Sequence, residues 1–392
     1  MKVLLINDYG TPQGGAEVVT LHLRAGLRRR GHEVRLFSSS ARDIDMPSEA
    51  DVECAGATTS YRTLMQSANL TARRALDREL AAFRPDVVHV GLFLTQLSPL
   101  IMPALRDVPS VYYAHWLRAI CPTGFKVLPD GATCRNKAGA ACYRSRCVPL
   151  RDWLPLMAQM QMWRRWRGAF DRVVANSEAT RAALAAEGFD NVSVIPCGVP
   201  PGERRPPLGG RPTVLFCGRL ARQKGVHVLL EAWNTVVSRV PDARLLVAGD
   251  GPERGRLEQM APPSVRLLGH IARAEMDGVA AAAWVQVLPS IGFEPFGLAA
   301  VEAMMRGTAV VASRVGGVPE VVEPEVTGKL VPPNDCDALA DALSELLLDR
   351  MRCEELGANG RRAAEQRFSD DLYVDRFVAV YHALLAERGD AQ

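Results

Sequence analysis

Two doubly wound α/β domains with parallel sheets are predicted by three features of the sequence: its length, an alternation of short apolar runs with helical patterns, and an abrupt change of composition near the middle. At 392 residues the chain exceeds what one ordinary core organises, and two domains of roughly 150 to 200 residues each follow. Strands that alternate with helices imply parallel sheets, each with its site at the C-terminal ends of the strands. The stretch PPGERRPPLGGRP at 200–212 holds five Pro and three Gly, cannot form a regular element, and reads as the linker between the domains. The expected organisation is therefore an N-terminal domain at 1–203, a C-terminal domain at 204–370, and a final helix at 371–392 docking back toward the first domain.

The elements follow in order. VLLIN (3–7) reads as a buried parallel strand, and the Gly-rich turn DYGTPQGGAE leads from it into a helical pattern that ends at RRRGHEV. EVRLFSS (33–39), PDVVHVG (85–91) and PSVYYAHW (109–116) continue the alternation; DRVVANS (171–177) and VSVIPCGV (192–199) close the first half. A second series runs through TVLFCGRL (213–220), ARLLVAGDG (243–251), SVRLLGHI (264–271), WVQVLPS (284–290) and TAVVASRVGG (308–317). DLYVDRFVAVYHALLAE (371–387) has apolar residues at helical spacing and should dock on a domain surface.

Composition excludes several classes. Apolar residues are 48% and charged residues 23%, ordinary globular values, and no apolar run approaches the roughly 20 residues a bilayer span needs. MKVLLIN has no small-residue cleavage site behind it, so a cytoplasmic protein is expected rather than a secreted one. Residues 1–203 carry 25 Lys+Arg against 19 Asp+Glu, the remainder 22 against 25. That basic excess suits an anionic acceptor or the inner face of a membrane, or simply a solvated surface, and is too small for nucleic acid.

The chemistry concentrates in two stretches of the second half. In SIGFEPFGLAAVEAM a strand leads through a tight EPFG turn into a helix, so free amides at the helix start can meet a diphosphate. Glu294 and Glu302 flank that turn, and Glu302 is expected about two turns into the helix. In CGRLARQKG, Arg219 and Lys224 stand at a strand's C-terminal end, where two cations can neutralise a departing diphosphate in place of a metal ion.

GGAE in the first loop, then GRLARQKG, AGDGPE, EPFGLAAVEA and GGVPEVV, in that order, resemble the retaining GT-B glycosyltransferases of family 4, glycosyl transferases group 1. The resemblance covers nearly the whole chain. It implies two Rossmann-like domains facing a central cleft, and transfer of a sugar from a nucleotide diphosphate, UDP by preference, to an acceptor hydroxyl with retention of configuration and no catalytic metal. It further implies that Arg219 and Lys224 bind the donor diphosphate and Glu302 the ribose. Glu294 with the turn Pro295, Phe296, Gly297 and Leu298 would hold the donor sugar, while Gly14 and Gly15 close over the phosphate. His115 would position the transferred sugar or the attacking hydroxyl, and the backbone of His270 and Ile271 would meet the base. Cell-envelope polysaccharide or glycolipid assembly is the first acceptor reading, and a small natural product such as an aminocyclitol antibiotic the second. A sugar-nucleotide 2-epimerase on the same fold and a non-catalytic nucleotide-binding module are the rivals.

Other patterns fit less well. AGDGPERG imitates a dinucleotide fingerprint, but its third Gly is one residue late. Asp43-Ile44-Asp45 and Asp335-Cys336-Asp337 imitate acid-x-acid metal motifs; the first lies in a polar stretch, and Asp335 is placed to cap a helix. Where family members commonly carry Asn before Gly, IPCGV has Cys197. Cys121, Cys134, Cys142 and Cys147 fall in an insertion at 117–150 directly after the His115 strand. They suffice for a structural zinc, but their spacing lacks the close pairs of zinc ribbons, so free or paired thiols stay open. LRDWLPLMAQMQMWRRWRGAF (150–170) suits either a structural helix or one in peripheral contact with a membrane.

Overall fold

The computed structural model describes residues 1–42, 46–59, 61–129 and 131–390. Asp43-Ile44-Asp45 lies outside the described residues. The chain divides into two compact units, one formed by Met1–Pro129, Cys134–Gly198 and Asp370–Gln392, the other by Val199–Ser369 with the short segment Asp130–Thr133.

The first unit carries a seven-stranded sheet of β1 (Lys2–Tyr9), β2 (Glu33–Ser39), β3 (Val52–Cys54), β4 (Val87–Val90), β5 (Ser110–Ala114), β6 (Arg172–Ala175) and β7 (Val192–Val194). Its order is β3-β2-β1-β4-β5-β6-β7, and every pairing is parallel. Apolar runs such as Val3 to Ile6 and Val111 to Ala114 are fully buried or nearly so, as a sheet covered on both faces requires. The order reverses between β1 and β4, so the ends of those two strands open a crevice at the topological switch point.

The second unit carries a six-stranded parallel sheet of β8 (Thr213–Cys217), β9 (Arg244–Ala248), β10 (Val265–Gly269), β11 (Val285–Leu288), β12 (Ala309–Ser313) and β13 (Gly328–Val331). Its order is β10-β9-β8-β11-β12-β13, with the same reversal between β8 and β11. The core is built from Val214, Leu229, Trp233, Val285, Val287 and Val311 among others.

The Pro/Gly-rich stretch 200–212 is irregular, as its composition demands, yet it is held within the second unit. Arg205 is buried, donates to Gly307 O at 2.9 Å and pairs with Glu354 at 2.8 Å. The C-terminal helix Asp370–Gly389 belongs to the first unit. Phe377 is fully buried among the rings of His89, Tyr113, Tyr373 and Tyr381. Arg29, the last residue of the helix Gly15–Arg29, and Arg30 just after it pair with Asp370 at 3.1 Å and Asp375 at 2.7 Å.

The helix Leu150–Trp166 buries Leu156, Gln159, Met160 and Trp163, whereas Leu150 and Leu154 are exposed. Among the described residues no helix is long and apolar enough to cross a membrane. Asp335 caps its helix by accepting from the Ala338 amide at 2.9 Å, which accounts for that acid-x-acid pattern without a metal.

Candidate functional site

The crevice of the second unit gathers most of the residues singled out from the sequence. β8 and β11 are neighbours, with Val214 opposite Val285, so the loops leaving their C-terminal ends must run side by side. The first loop carries Arg219 and then a single 3-10 turn, Arg222–Lys224, closed by Gly225 with φ at +69°. The second runs from Pro289 to Gly297. Gln223 O ties them by accepting from the Ile291 and Gly292 amides at 2.9 and 3.2 Å.

Side chains meet across the same join. Lys224 Nζ lies 2.6 Å from Glu294 Oε2, and Ser290 donates to that oxygen at 3.2 Å. Glu294 is further fixed through its carbonyl, which accepts from the Gly317 amide at 2.9 Å. Arg219 is exposed, and its guanidinium has no ion-pair partner among the described residues. The helix Leu298–Arg306 starts from Gly297, where φ is +93° and no side chain caps the first turn. Its opening amides are therefore available to an anion.

Glu302 sits one turn into that helix, not two, because the helix begins only at Leu298. Arg273 lies 3.6 Å from its carboxylate. Burial pushes the Glu302 carboxyl above its usual value while Arg273 and Arg306 oppose the rise. Phe296 is buried and edge-on to Phe368, with ring centres 5.5 Å apart, so its ring anchors the turn and only its backbone is left for a ligand. Past the end of β10, His270 is exposed and Ile271 half-buried. The AGDG turn is used locally: Asp250 accepts from the Gly251 amide at 2.7 Å and pairs with Arg254 at 2.8 Å.

The first unit has its own constellation at the β1/β4 switch point. Gly14 precedes the helix Gly15–Arg29, which likewise starts without a side-chain cap. His115, at the end of β5, is buried with its ring 4.4 Å from that of Tyr113, and its carbonyl accepts from Asn176 at 3.1 Å. Around it stand groups the sequence reading did not single out. Asn7 accepts from the Leu92 amide at 2.9 Å. The wholly buried Asp8 carboxylate accepts from the Thr95 hydroxyl at 2.6 Å and from the Thr95, Gln96 and Leu97 amides at 2.8 to 2.9 Å. Two polar residues closing an otherwise apolar β1 were the available signal. Burial nevertheless holds the Asp8 carboxyl above its ordinary value against those hydrogen bonds. Cys197 lies 3.3 Å from the Tyr113 hydroxyl, and burial pushes its thiol up to about 12, so it is an inert packing group.

Burial pushes both His115 and His89 down to about 3. Both are therefore neutral near pH 7, and His89 hydrogen-bonds the Tyr381 hydroxyl at 2.8 Å. The unfolded chain takes up protons below about pH 6.5 that the folded chain refuses, so stability falls as pH falls through that window. In His115→Gln, urea unfolding between about pH 6 and pH 5 should lose up to about 1.4 kcal/mol per pH unit of that dependence. An unchanged slope would contradict the buried, neutral state.

Two parallel α/β units, each with an uncapped helix start near its switch point, and one of them with paired cation and carboxylate loops, offer sites suited to a phosphate-bearing ligand. Residues 13–203 match the family described as Glycosyltransferase Family 4, and residues 211–349 that described as Glycosyl transferases group 1. The chain belongs to these glycosyltransferases and has the GT-B fold. It is 29% identical over 416 residues to the alpha-maltose-1-phosphate synthase of Mycobacterium tuberculosis, across 98% of this chain and all of that protein. Among solved structures it resembles sucrose-phosphate synthase from Thermosynechococcus elongatus, at 25% identity and a TM-score of 0.76, over 98% of this chain and 99% of that one. It also resembles Anabaena Alr3699/HepE in complex with UDP and glucose, at 20% identity and a TM-score of 0.71, over 98% and 100% of the two chains.

Proposed function

We propose that the chain transfers a sugar from a UDP-sugar to an acceptor hydroxyl with retention of anomeric configuration and without a catalytic metal. The observation that carries this reading is the Lys224–Glu294 contact of 2.6 Å at the join of the β8 and β11 loops. It fixes a cation and a carboxylate beside the uncapped start of Leu298–Arg306. Arg219 and Lys224 neutralise the diphosphate as the bond to the sugar breaks, the amides after Gly297 add to that stabilisation, and Glu294 holds sugar hydroxyls. Glu302 receives the ribose, and the backbone at His270 and Ile271 receives the base. Gly14 and Gly15 are assigned to the donor phosphate, and His115 to positioning the sugar or the attacking hydroxyl. The departing phosphate oxygen accepts the acceptor's proton on the face from which it leaves. UDP as carrier is supported by the UDP complex of the Anabaena protein.

The acceptor is a hydroxyl of a cell-envelope glycan or glycolipid, for which the basic excess of residues 1–203 favours an anionic partner. The assignment is tested by incubating the chain with UDP-, GDP- and ADP-sugars, with and without candidate acceptors, in the presence of a chelator. UDP release that needs an acceptor, persists with the chelator and yields a product of unchanged anomeric configuration by NMR is expected. Conversion of the UDP-sugar to its epimer with no acceptor present would sink it.

A further inference from the structure

The cysteine-rich excursion between β5 and the helix Leu150–Trp166 has very little to hold it together. Of the described residues in 121–148, only Cys121, Pro122, Gly124, Ala138 and Val148 are buried. Ordering a residue costs about 1 to 2 kcal/mol of backbone entropy, which so few buried groups do not offset, and segments of this kind are usually stapled. All four of its cysteines line one small cavity of about 20 Å3, together with Val127 and Leu128. That volume admits about one water-sized particle.

The backbone brings the four together from separate places. Cys121 follows the 3-10 turn Leu117–Ala119, its amide donating to Leu117 O at 2.8 Å. Cys134 is drawn across the loop by its amide's bond to Lys126 O at 2.7 Å. Cys142 lies on the short helix Ala140–Arg144, and the Cys147 amide donates to Cys142 O at 3.0 Å. No disulfide joins any of the nine cysteines.

We propose that this cavity is a structural zinc site with Cys121, Cys134, Cys142 and Cys147 as its four ligands. A four-thiolate set selects a thiophilic ion of tetrahedral preference, among the described residues no carboxylate lines the cavity to favour magnesium or calcium, and the volume is too small for an iron–sulfur cluster. Binding releases four protons and leaves a ZnS4 unit of charge 2−. The segment is charged to suit it: Lys126, Arg135, Lys137, Arg144 and Arg146 stand against Asp130 alone between residues 121 and 148.

Among the described residues no three His, Cys, Asp or Glu side chains already stand grouped as a metal-ligand set, so the sulfurs turn into the cavity as the ion enters. Among the contacts they leave are weak ones: Cys121 Sγ to the Thr123 hydroxyl at 3.2 Å, Cys134 Sγ to Asn136 O at 4.0 Å, and Cys147 Sγ to Ser145 O at 3.8 Å. Metal binding would thus order the segment that follows His115, which is folding free energy drawn from the ion.

The test is elemental analysis and zinc-edge X-ray absorption on the full chain purified without chelator, then again after one equivalent of zinc and dialysis. About one zinc per chain with four sulfurs at about 2.3 Å is expected. Cys134→Ser and Cys142→Ser should each bring zinc close to zero and lower the melting temperature, while Cys336→Ser, outside the segment, keeps the full complement. If the first two variants fail to fold, the wild-type stoichiometry and sulfur coordination still decide. Zinc well below one per chain after reconstitution, iron in its place, or a disulfide among the four by mass spectrometry would overturn the proposal.

Discussion

Lys224→Ala should lower kcat/KM by about 10³-fold, roughly 4 kcal/mol of transition-state stabilisation, with the fold intact. The two effects separate because of where the residue stands. Lys224 is part-exposed on a single turn, with 30% of its side chain accessible, and an exposed ion pair contributes only about 0 to 1 kcal/mol to stability. In the proposed mechanism the same charge stands beside a leaving diphosphate and acts where charge develops. Lys224→Arg should recover part of the loss, since it restores a cation but not a compact one. Initial rates with donor varied, read beside a thermal melt, check this. Near-normal turnover in Lys224→Ala would remove Lys224 from the proposed mechanism.

The second large effect is expected at Gly225, which has no ligand to touch. Its φ of +69° is a conformation that side chains other than glycine's rarely adopt, and a Cβ there would lie 1.9 Å from Pro289 O. Gly225→Ala must therefore pry the β8 loop from the β11 loop, breaking the bonds through Gln223 O and carrying Lys224 away from Glu294. A loss of about 2 to 4 kcal/mol in unfolding free energy is expected together with loss of transfer. Gly316 is the same device on the other side of Glu294: φ is +52° and a Cβ would fall 2.0 Å from Glu294 O. Urea unfolding and activity assays on Gly225→Ala check this, and wild-type values in both would show that the close approach of the loops does not position the site.

Much of the fold is legible in the sequence because buried parallel strands are written as continuous apolar runs. EVRLFSS coincides with β2, VLLIN lies within β1, and the other nine predicted runs each contain an observed strand. The two strands with no such expectation, β3 and β13, are short and lie at sheet edges. β3 is only VEC, with one of its three residues buried, and β13 opens on Gly328, so neither offers a long apolar run. Chain order could not reveal that Lys224 and Glu294 touch, since they are 70 residues apart. That contact depends on β8 and β11 being neighbours at the sheet's reversal. Asp8 and His89 escaped for a different reason: each sits within or at the end of an apolar strand, where its hydrogen bonds come from β-loop amides and from Tyr381 of the last helix.

Crystallography of the chain soaked with UDP tests the central claim most directly, because it asks where the diphosphate lies without depending on the acceptor. Density for the diphosphate within hydrogen-bond reach of Arg219 and Lys224, beside the amides that follow Gly297, with the ribose on Glu302, is the predicted result. UDP bound with its phosphates away from those groups would contradict it.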